Sequence, residues 1–284
     1  MTQTNAPIEN QGLRASRTRA RMLENKSAVV FGTGGSIGAA VAKEFAAEGA
    51  RVFLAGRTKA SLEVVAKQIT AAGGEAQTTV VDALDDTGVN RYLDDVAKQA
   101  GKIDIVVDLT GPLAREYGNG KVAVELQVDE FMAPLITIVR SHFITARAAA
   151  RHMVNQKSGV IIFVTGSPAR PHVPGATAIG AAFSALENLT MNLAFEVSPM
   201  GVRVVCLRTV ANVDSRPIQE TLEFVAGRMN ITKEQAIGQV ALGNFLKVPA
   251  TVKDTANAAV LIASDRARMM TGTVVNASAG AALD

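Results

Sequence analysis

The sequence contains one cysteine and no tryptophan, and aromatic residues make up only 4% of its 284 residues. A single cysteine excludes an intrachain disulfide. Cys206 lies within an apolar strand-like run, where burial is its expected role. The chain is instead rich in alanine, valine and glycine, and its length suffices for a sizeable core. This composition predicts tightly packed layers of helices and strands.

Charge and long apolar runs are also scarce. The formal net charge is only +3, and part of it comes from arginines near the N-terminus, so nothing favours a nucleic-acid partner. No stretch is apolar enough to span a membrane, and the first residues lack the apolar block of a secretory signal. We therefore expect a cytoplasmic protein with no membrane partner and no metal site. Residues 1–24 are expected to form a flexible basic arm.

From Lys26 onward, short apolar runs alternate with segments of helical periodicity. Such alternation predicts an α/β fold, a single Rossmann-type doubly wound parallel sheet of about seven strands with helices on both faces. Residues 25–284 are expected to form this one domain. Residues 209–248 are expected to be a lid-like insertion with helical pieces of its own. One long helix is predicted over residues 130–156.

A glycine-rich turn follows the first predicted strand and precedes a predicted helix over residues 36–48. Glycines in this context let the backbone approach a pyrophosphate, and the helix start offers unpaired N–H groups to phosphate oxygens. The turn therefore predicts a dinucleotide site. Its predicted cofactor-binding residues are Gly32, Gly35, Ser36, Ile37 and Gly38.

The end of the second predicted strand, residues 51–55, is where such a fold meets the adenosine ribose. An acidic residue there would hydrogen-bond a free 2′-hydroxyl. The sequence has Gly56, Arg57 and a nearby Lys59 instead. Basic residues suit a 2′-phosphate, so NADP(H) is predicted to bind in preference to NAD(H), with Arg57 as the contact.

These features together make the sequence resemble the short-chain dehydrogenase/reductase family from Lys26 to the C-terminus. Residues 32–38 are similar to the family's T-G-x-x-x-G-I-G turn, with Phe31 for the threonine and Ser36 for the middle glycine. Residues 108–111 occupy the place of the N-N-A-G motif and keep only its glycine. The resemblance implies further cofactor contacts from Asp82, Ala83, Thr110 and Gly111.

The family's catalytic side chains are absent. The resemblance places the catalytic tyrosine at Ile179, the lysine at Phe183, the serine at Gly166 and the asparagine at Ile138. None of these four residues can donate a proton or stabilise an oxyanion through its side chain. The family reduces carbonyls with hydride from the nicotinamide, and a positioned general acid contributes about 10²–10⁴ in rate.

Several other residues are candidate replacements for the missing acid. Ser167 adjoins the lost serine position, and His172 lies on the following loop with Arg170. Tyr117 and Asp108 come from the end of the fourth predicted strand and the loop after it. At two further places the chain differs from the family near the nicotinamide, namely residues 208–209 in place of Pro-Gly and Asp214 near the usual carboxamide-binding threonine.

Three functions stay open at this level. The first is a divergent NADP(H)-dependent oxidoreductase acting on a small-molecule carbonyl or alcohol. The second is a non-catalytic dinucleotide-binding sensor or silent subunit, and the third is a non-redox enzyme that reuses the pocket. Small and apolar residues along the helices predicted at 130–156 and 177–197 indicate a homodimer or homotetramer, because the corresponding helices pair in the resembling family.

Overall fold

The computed structural model describes residues 20–171 and 173–284, so residues 1–19 of the predicted arm and His172 lie outside the described residues. Seven strands are described: β1 Ser27–Phe31, β2 Arg51–Gly56, β3 Glu75–Val80, β4 Ile105–Asp108, β5 Gly159–Gly166, β6 Val202–Thr209 and β7 Thr273–Asn276. They form one parallel sheet in the order β3-β2-β1-β4-β5-β6-β7. This order confirms the predicted doubly wound sheet.

Helices cover both faces of the sheet. Central strands such as β1 and β4 are buried along their whole length, which explains why they are continuous apolar runs rather than alternating ones. The described α-helices are α1 Ser36–Ala47, α2 Lys59–Ala71, α3 Asp86–Ala100, α4 Val128–Pro134, α5 Arg140–Gln156, α6 Thr177–Val197, α7 Arg216–Met229, α8 Lys233–Gly243 and α9 Val252–Ala263. Helices α1, α2 and α9 cover one face of the sheet, and helices α3, α5 and α6 cover the other.

The helix predicted over residues 130–156 is interrupted. Pro134 ends α4, and residues 135–139 form a π-helical turn before α5 begins. Proline has no N–H to give, and a π turn changes the hydrogen-bond ladder locally. The Ile138 carbonyl in this turn accepts side-chain bonds from Ser141 Oγ at 3.1 Å and His142 Nδ1 at 2.8 Å. Those side chains satisfy a carbonyl group within the interrupted segment.

The segment predicted as an insertion carries α7 and α8, which share a small core of their own around Leu222 and Ala236. Cys206 is buried in β6, and burial raises the pKa of its thiol to about 12. Among the described helices, none combines the length and the apolar character that crossing a bilayer would need.

Candidate functional site

The C-terminal ends of four strands lie side by side at one edge of the sheet. Phe31 of β1 is paired with Ala55 of β2 and with Asp108 of β4, and Gly56 is paired with Val80 of β3. The strand order changes direction between β1 and β4, and ligands of open α/β sheets bind in the crevice at such a point. The predicted cofactor residues all follow these strand ends.

Two glycines of the turn after β1 are required by close backbone contacts. Gly32 has a φ of +75°, and a Cβ there would lie 2.6 Å from the Leu109 carbonyl carbon. A Cβ on Gly38 would lie 2.4 Å from the Gly32 carbonyl oxygen. A side chain at Gly32 would push the turn away from the end of β4, and a side chain at Gly38 would push α1 away from the turn. The two glycines therefore allow the tight connection from strand to turn to helix.

The start of α1 is open to a ligand. Its N-cap residue, Gly35, provides no side-chain cap, and Gly34 and Gly35 are exposed. The first intrahelical bond runs from the Ala39 N–H to the Gly35 carbonyl at 2.9 Å. Within the described residues, the three preceding helical N–H groups, which include those of Ile37 and Gly38, have no protein acceptor. Such an uncapped helix start fits the phosphate oxygens of a dinucleotide.

The Ser36 hydroxyl at this helix start is already engaged. It accepts a hydrogen bond of 3.1 Å from the backbone N–H of Arg216, the first residue of α7. Thr33, buried in the turn, donates through its hydroxyl to the Ala55 carbonyl at 2.9 Å. The turn is therefore tied both to the end of β2 and to the segment predicted as an insertion.

The predicted adenosine contacts lie at the ends of β2 and β3. Arg57 is exposed and has no ion pair within the described residues. Arg57 and Asp82 both line a cavity of about 630 Å³ between the sheet edge and α3. Asp82 accepts a bond from the Leu84 N–H at 3.0 Å, and Ala83 beside it is buried.

The remaining predicted contacts follow β4. The Thr110 N–H donates to Asp108 Oδ1 at 2.8 Å, which shapes the backbone leading to exposed Gly111. Asp108 also accepts from the Thr145 hydroxyl at 3.0 Å, and His142 Nδ1 lies 3.6 Å from the same carboxylate. Asp108 is thus an interior hydrogen-bonded acid and not an exposed one.

An apolar cluster contains residues that the sequence predicts at the family's catalytic positions. Two of the residues aligned with that tetrad, Ile138 and Ile179, are both buried in it, and Phe183 packs against it. The apolar cluster contains Ile138, Ala176, Ile179, Ala182 and Leu186, with Tyr117, Leu135, Val139, Phe183 and Leu189 against it. Three of the four residues predicted at the tetrad positions, Ile138, Ile179 and Phe183, therefore belong to or pack on one apolar cluster.

Gly166 and Phe183 are complementary in shape. A Cβ added to Gly166 would lie 3.0 Å from Phe183 Cε2, tighter than an ordinary van der Waals contact. The absence of a side chain at the serine position therefore makes room for the aromatic ring at the lysine position. A side chain larger than glycine at residue 166 would therefore require the Phe183 ring to move.

The replacement acids considered from the sequence have different surroundings. Tyr117 packs against the apolar cluster, and burial raises the pKa of its hydroxyl above the ordinary value. Ser167 begins a short 3₁₀ turn directly after β5 and is partly exposed. Asp214 instead accepts the Val252 N–H at 2.8 Å, which starts α9.

A buried ion pair beside the site was not expected from the sequence. Arg208, at the end of β6, has no exposed surface, and its Nε and Nη2 donate to the two Glu187 carboxylate oxygens at 2.7 and 3.0 Å. Arg170 Nε lies 3.2 Å from the same carboxylate, and Asp284 pairs with Arg208. Glu187 lies one turn beyond Phe183 on α6, and no local pattern links it to β6.

This strand order, with an uncapped glycine-rich turn at its switch point, defines a dinucleotide-binding Rossmann protein. The chain belongs to the short-chain dehydrogenase family, whose family model, described as short chain dehydrogenase, matches residues 26–220. It is thus a member of an oxidoreductase family that binds nicotinamide dinucleotides.

Relatives and solved structures agree with this assignment. The chain is 30% identical over 257 residues to short chain aldehyde dehydrogenase 1 of Euphorbia lathyris, covering 89% of this chain and 86% of the relative. It is 30% identical over 265 residues to an uncharacterised oxidoreductase of Bacillus subtilis, covering 91% of each chain. An actinorhodin polyketide ketoreductase variant solved with NADPH has the same fold, with a TM-score of 0.82 at 19% identity over 90% of this chain and 97% of that one.

Proposed function

We propose that the protein binds NADP(H) in preference to NAD(H) and does not reduce ordinary ketones through the family's tyrosine–lysine route. The observation that carries this proposal is the apolar cluster, in which Ile179 and Phe183 stand where a proton donor and its lysine are required. Hydride transfer to a ketone leaves an alkoxide that needs a donor and a proton. Neither residue supplies one, whereas the dinucleotide turn keeps its glycines.

The cofactor preference rests on charge. Arg57 follows β2 with no acidic residue beside it, and its guanidinium has no protein partner in the described part of the chain. An arginine can bind a 2′-phosphate with two parallel hydrogen bonds. Gly32, Gly35, Ser36, Ile37 and Gly38 are proposed to hold the pyrophosphate. Asp82, Ala83, Thr110 and Gly111 are proposed to line the adenosine half.

Replacing Arg57 with alanine is expected to weaken NADPH binding roughly 10- to 100-fold, because it removes a charge-assisted contact to the 2′-phosphate. NADH lacks that phosphate, so its affinity is expected to change less than twofold. Titration calorimetry of the wild type and variant with NADPH, NADP⁺, NADH and NAD⁺ measures both effects.

Arg266, an exposed arginine in the turn after α9, provides the matched control, since Arg266→Ala removes the same charge far from the strand ends. Equal affinity of the wild type for NADPH and NADH would refute the role of Arg57. Failure to bind any of the four dinucleotides would refute the proposed function as a whole.

A second candidate function is supported by Tyr117. Its ring packs on the apolar cluster that contains Ile179, so its phenol is the described tyrosine nearest the place of the missing acid. In this case the protein is a carbonyl reductase with a relocated proton donor. Tyr117→Phe separates the two candidates, because it would abolish turnover in the second and change nothing in the first.

We also propose that the protein assembles as a homodimer or homotetramer through α5 and α6. Phe195 of α6 is 85% exposed, and Phe143 of α5 and Met191 of α6 are also exposed large apolar residues. Exposed apolar side chains on adjacent helices are typical of an interface.

Phe195→Glu is expected to shift the protein toward a monomer, because it would place a charge in the centre of that contact. Multi-angle light scattering at micromolar concentration measures the mass. The control is Val124→Glu, since Val124 is 94% exposed and lies in a short 3₁₀ turn outside α5 and α6. A monomeric wild type would contradict the proposal.

A further inference from the structure

The phosphate-binding turn contacts the backbone of an arginine that no sequence motif indicated. Arg216 is the first residue of α7, and its backbone N–H donates to the Ser36 hydroxyl at 3.1 Å. Ser36 stands where the family motif has a glycine, so the hydroxyl that receives this bond is a departure from that motif. The contact brings the start of α7 to the start of α1, where the free N–H groups lie.

The side chain of Arg216 forms an exposed ion pair that a ligand can displace. Its Nε lies 2.9 Å from Glu220 Oε1, one turn along α7, and the arginine side chain is 75% exposed. An exposed ion pair between residues one turn apart contributes little to stability and is weakened by salt. A phosphate oxygen in a partly enclosed crevice makes a shorter and stronger charge-assisted bond. Arginine is also the side chain that matches phosphate geometry best.

The start of α1 supports the same assignment. Its N-cap residue, Gly35, provides no side-chain cap, so the N–H groups of Ile37 and Gly38 stay available to an anion. At the start of α7 the N–H of Arg216 donates to the Ser36 hydroxyl, and Pro217 has no N–H, so α7 contributes the arginine side chain rather than free N–H groups.

We propose that Arg216 is a cofactor-binding residue that leaves Glu220 and contacts the pyrophosphate of the bound dinucleotide, so that α7 closes over the phosphate-binding turn. The inference rests on the proposed dinucleotide binding and adds a second cation to it. Arg57 is proposed to bind the 2′-phosphate, which only NADPH carries. Arg216 is proposed to contact the pyrophosphate, which NADPH and NADH share.

Arg216→Ala is expected to weaken NADPH and NADH binding by the same factor, on the order of tenfold or more. It leaves the affinity for adenosine 2′-monophosphate, which has no pyrophosphate, within twofold of the wild type. Arg57→Ala gives the opposite pattern, with a selective loss of NADPH. Arg216→Lys restores part of the affinity for both dinucleotides, and Arg266→Ala leaves all three ligands unaffected.

Hydrogen exchange provides a second measurement that does not depend on affinity. NADPH at saturation is expected to slow exchange in peptides covering residues 213–220 in the wild type, and to slow it less in Arg216→Ala. If Arg216→Ala binds both dinucleotides as the wild type does, the inference is wrong while the proposed function stands. If the wild type binds no dinucleotide, both are wrong.

Discussion

Replacing Arg208 with methionine is expected to lower the free energy of unfolding by about 3–5 kcal/mol, because it leaves the Glu187 carboxylate buried without its main partner. Arg208 and Glu187 are both almost completely buried, at 0% and 2% exposure. The hydrogen bonds that Arg208 donates to the Glu187 carboxylate raise the pKa of the Arg208 guanidinium, which keeps the arginine charged. Arg170, half exposed, cannot replace a bidentate contact.

A double-mutant cycle in urea tests this expectation. The double variant Arg208→Met, Glu187→Met removes both charges. Its loss in the free energy of unfolding is expected to be smaller than the sum of the losses in the two single variants. Arg266→Met is the matched control at an exposed arginine, with an expected effect within about 0.5 kcal/mol. Additive single effects, or a loss below about 1 kcal/mol for Arg208→Met, would show that the pair carries no such coupling.

The ion pair also marks the limit of what the sequence could predict. Residues 208–209 stand where the family has Pro-Gly near the nicotinamide, so the sequence indicated only a departure at that place. The partner, Glu187, lies on a different element, and pairing across α6 and β6 depends on how the helix packs on the sheet. Periodicity and local spacing carry no information about such a contact.

The sheet, by contrast, was predictable because its signals are local. Each buried strand is a short apolar run, and glycines such as Gly49 and Gly101 end helices with positive φ values of 94° and 79°. The π turn at residues 135–139 was missed, since an apolar run has the same appearance in a π turn as in an α-helix. Only the hydrogen-bond pattern distinguishes the two.

The sequence predicted positions for the candidate site, but it could not predict how those residues pack. The resemblance identified Gly166, Ile179 and Phe183 as replacements for catalytic residues, and the structure adds that they belong to one packed unit. Gly166→Ser alone would press a side chain against the Phe183 ring. A rebuilt site must therefore change Phe183 at the same time.

The triple variant Gly166→Ser, Ile179→Tyr and Phe183→Lys is expected to raise NADPH-dependent ketone reduction by roughly 10²–10⁴ over the wild type, the range that a positioned general acid contributes. The matched control is the double variant Gly166→Ser, Phe183→Lys, which keeps Ile179. Its rate of ketone reduction is expected to stay at the wild-type level. NADPH affinity measured for each variant separates a failed cofactor site from a failed acid.

The wild type itself provides the decisive measurement. With Ile179 and Phe183 in place, its turnover of a panel of aliphatic and aryl ketones with NADPH is expected to be indistinguishable from the reaction without protein, since neither side chain can give the nascent alkoxide a proton or a hydrogen bond. Robust turnover that Tyr117→Phe abolishes would contradict this expectation and identify Tyr117 as the proton donor. Turnover abolished by Ser167→Ala would assign the missing donor to the serine that follows β5.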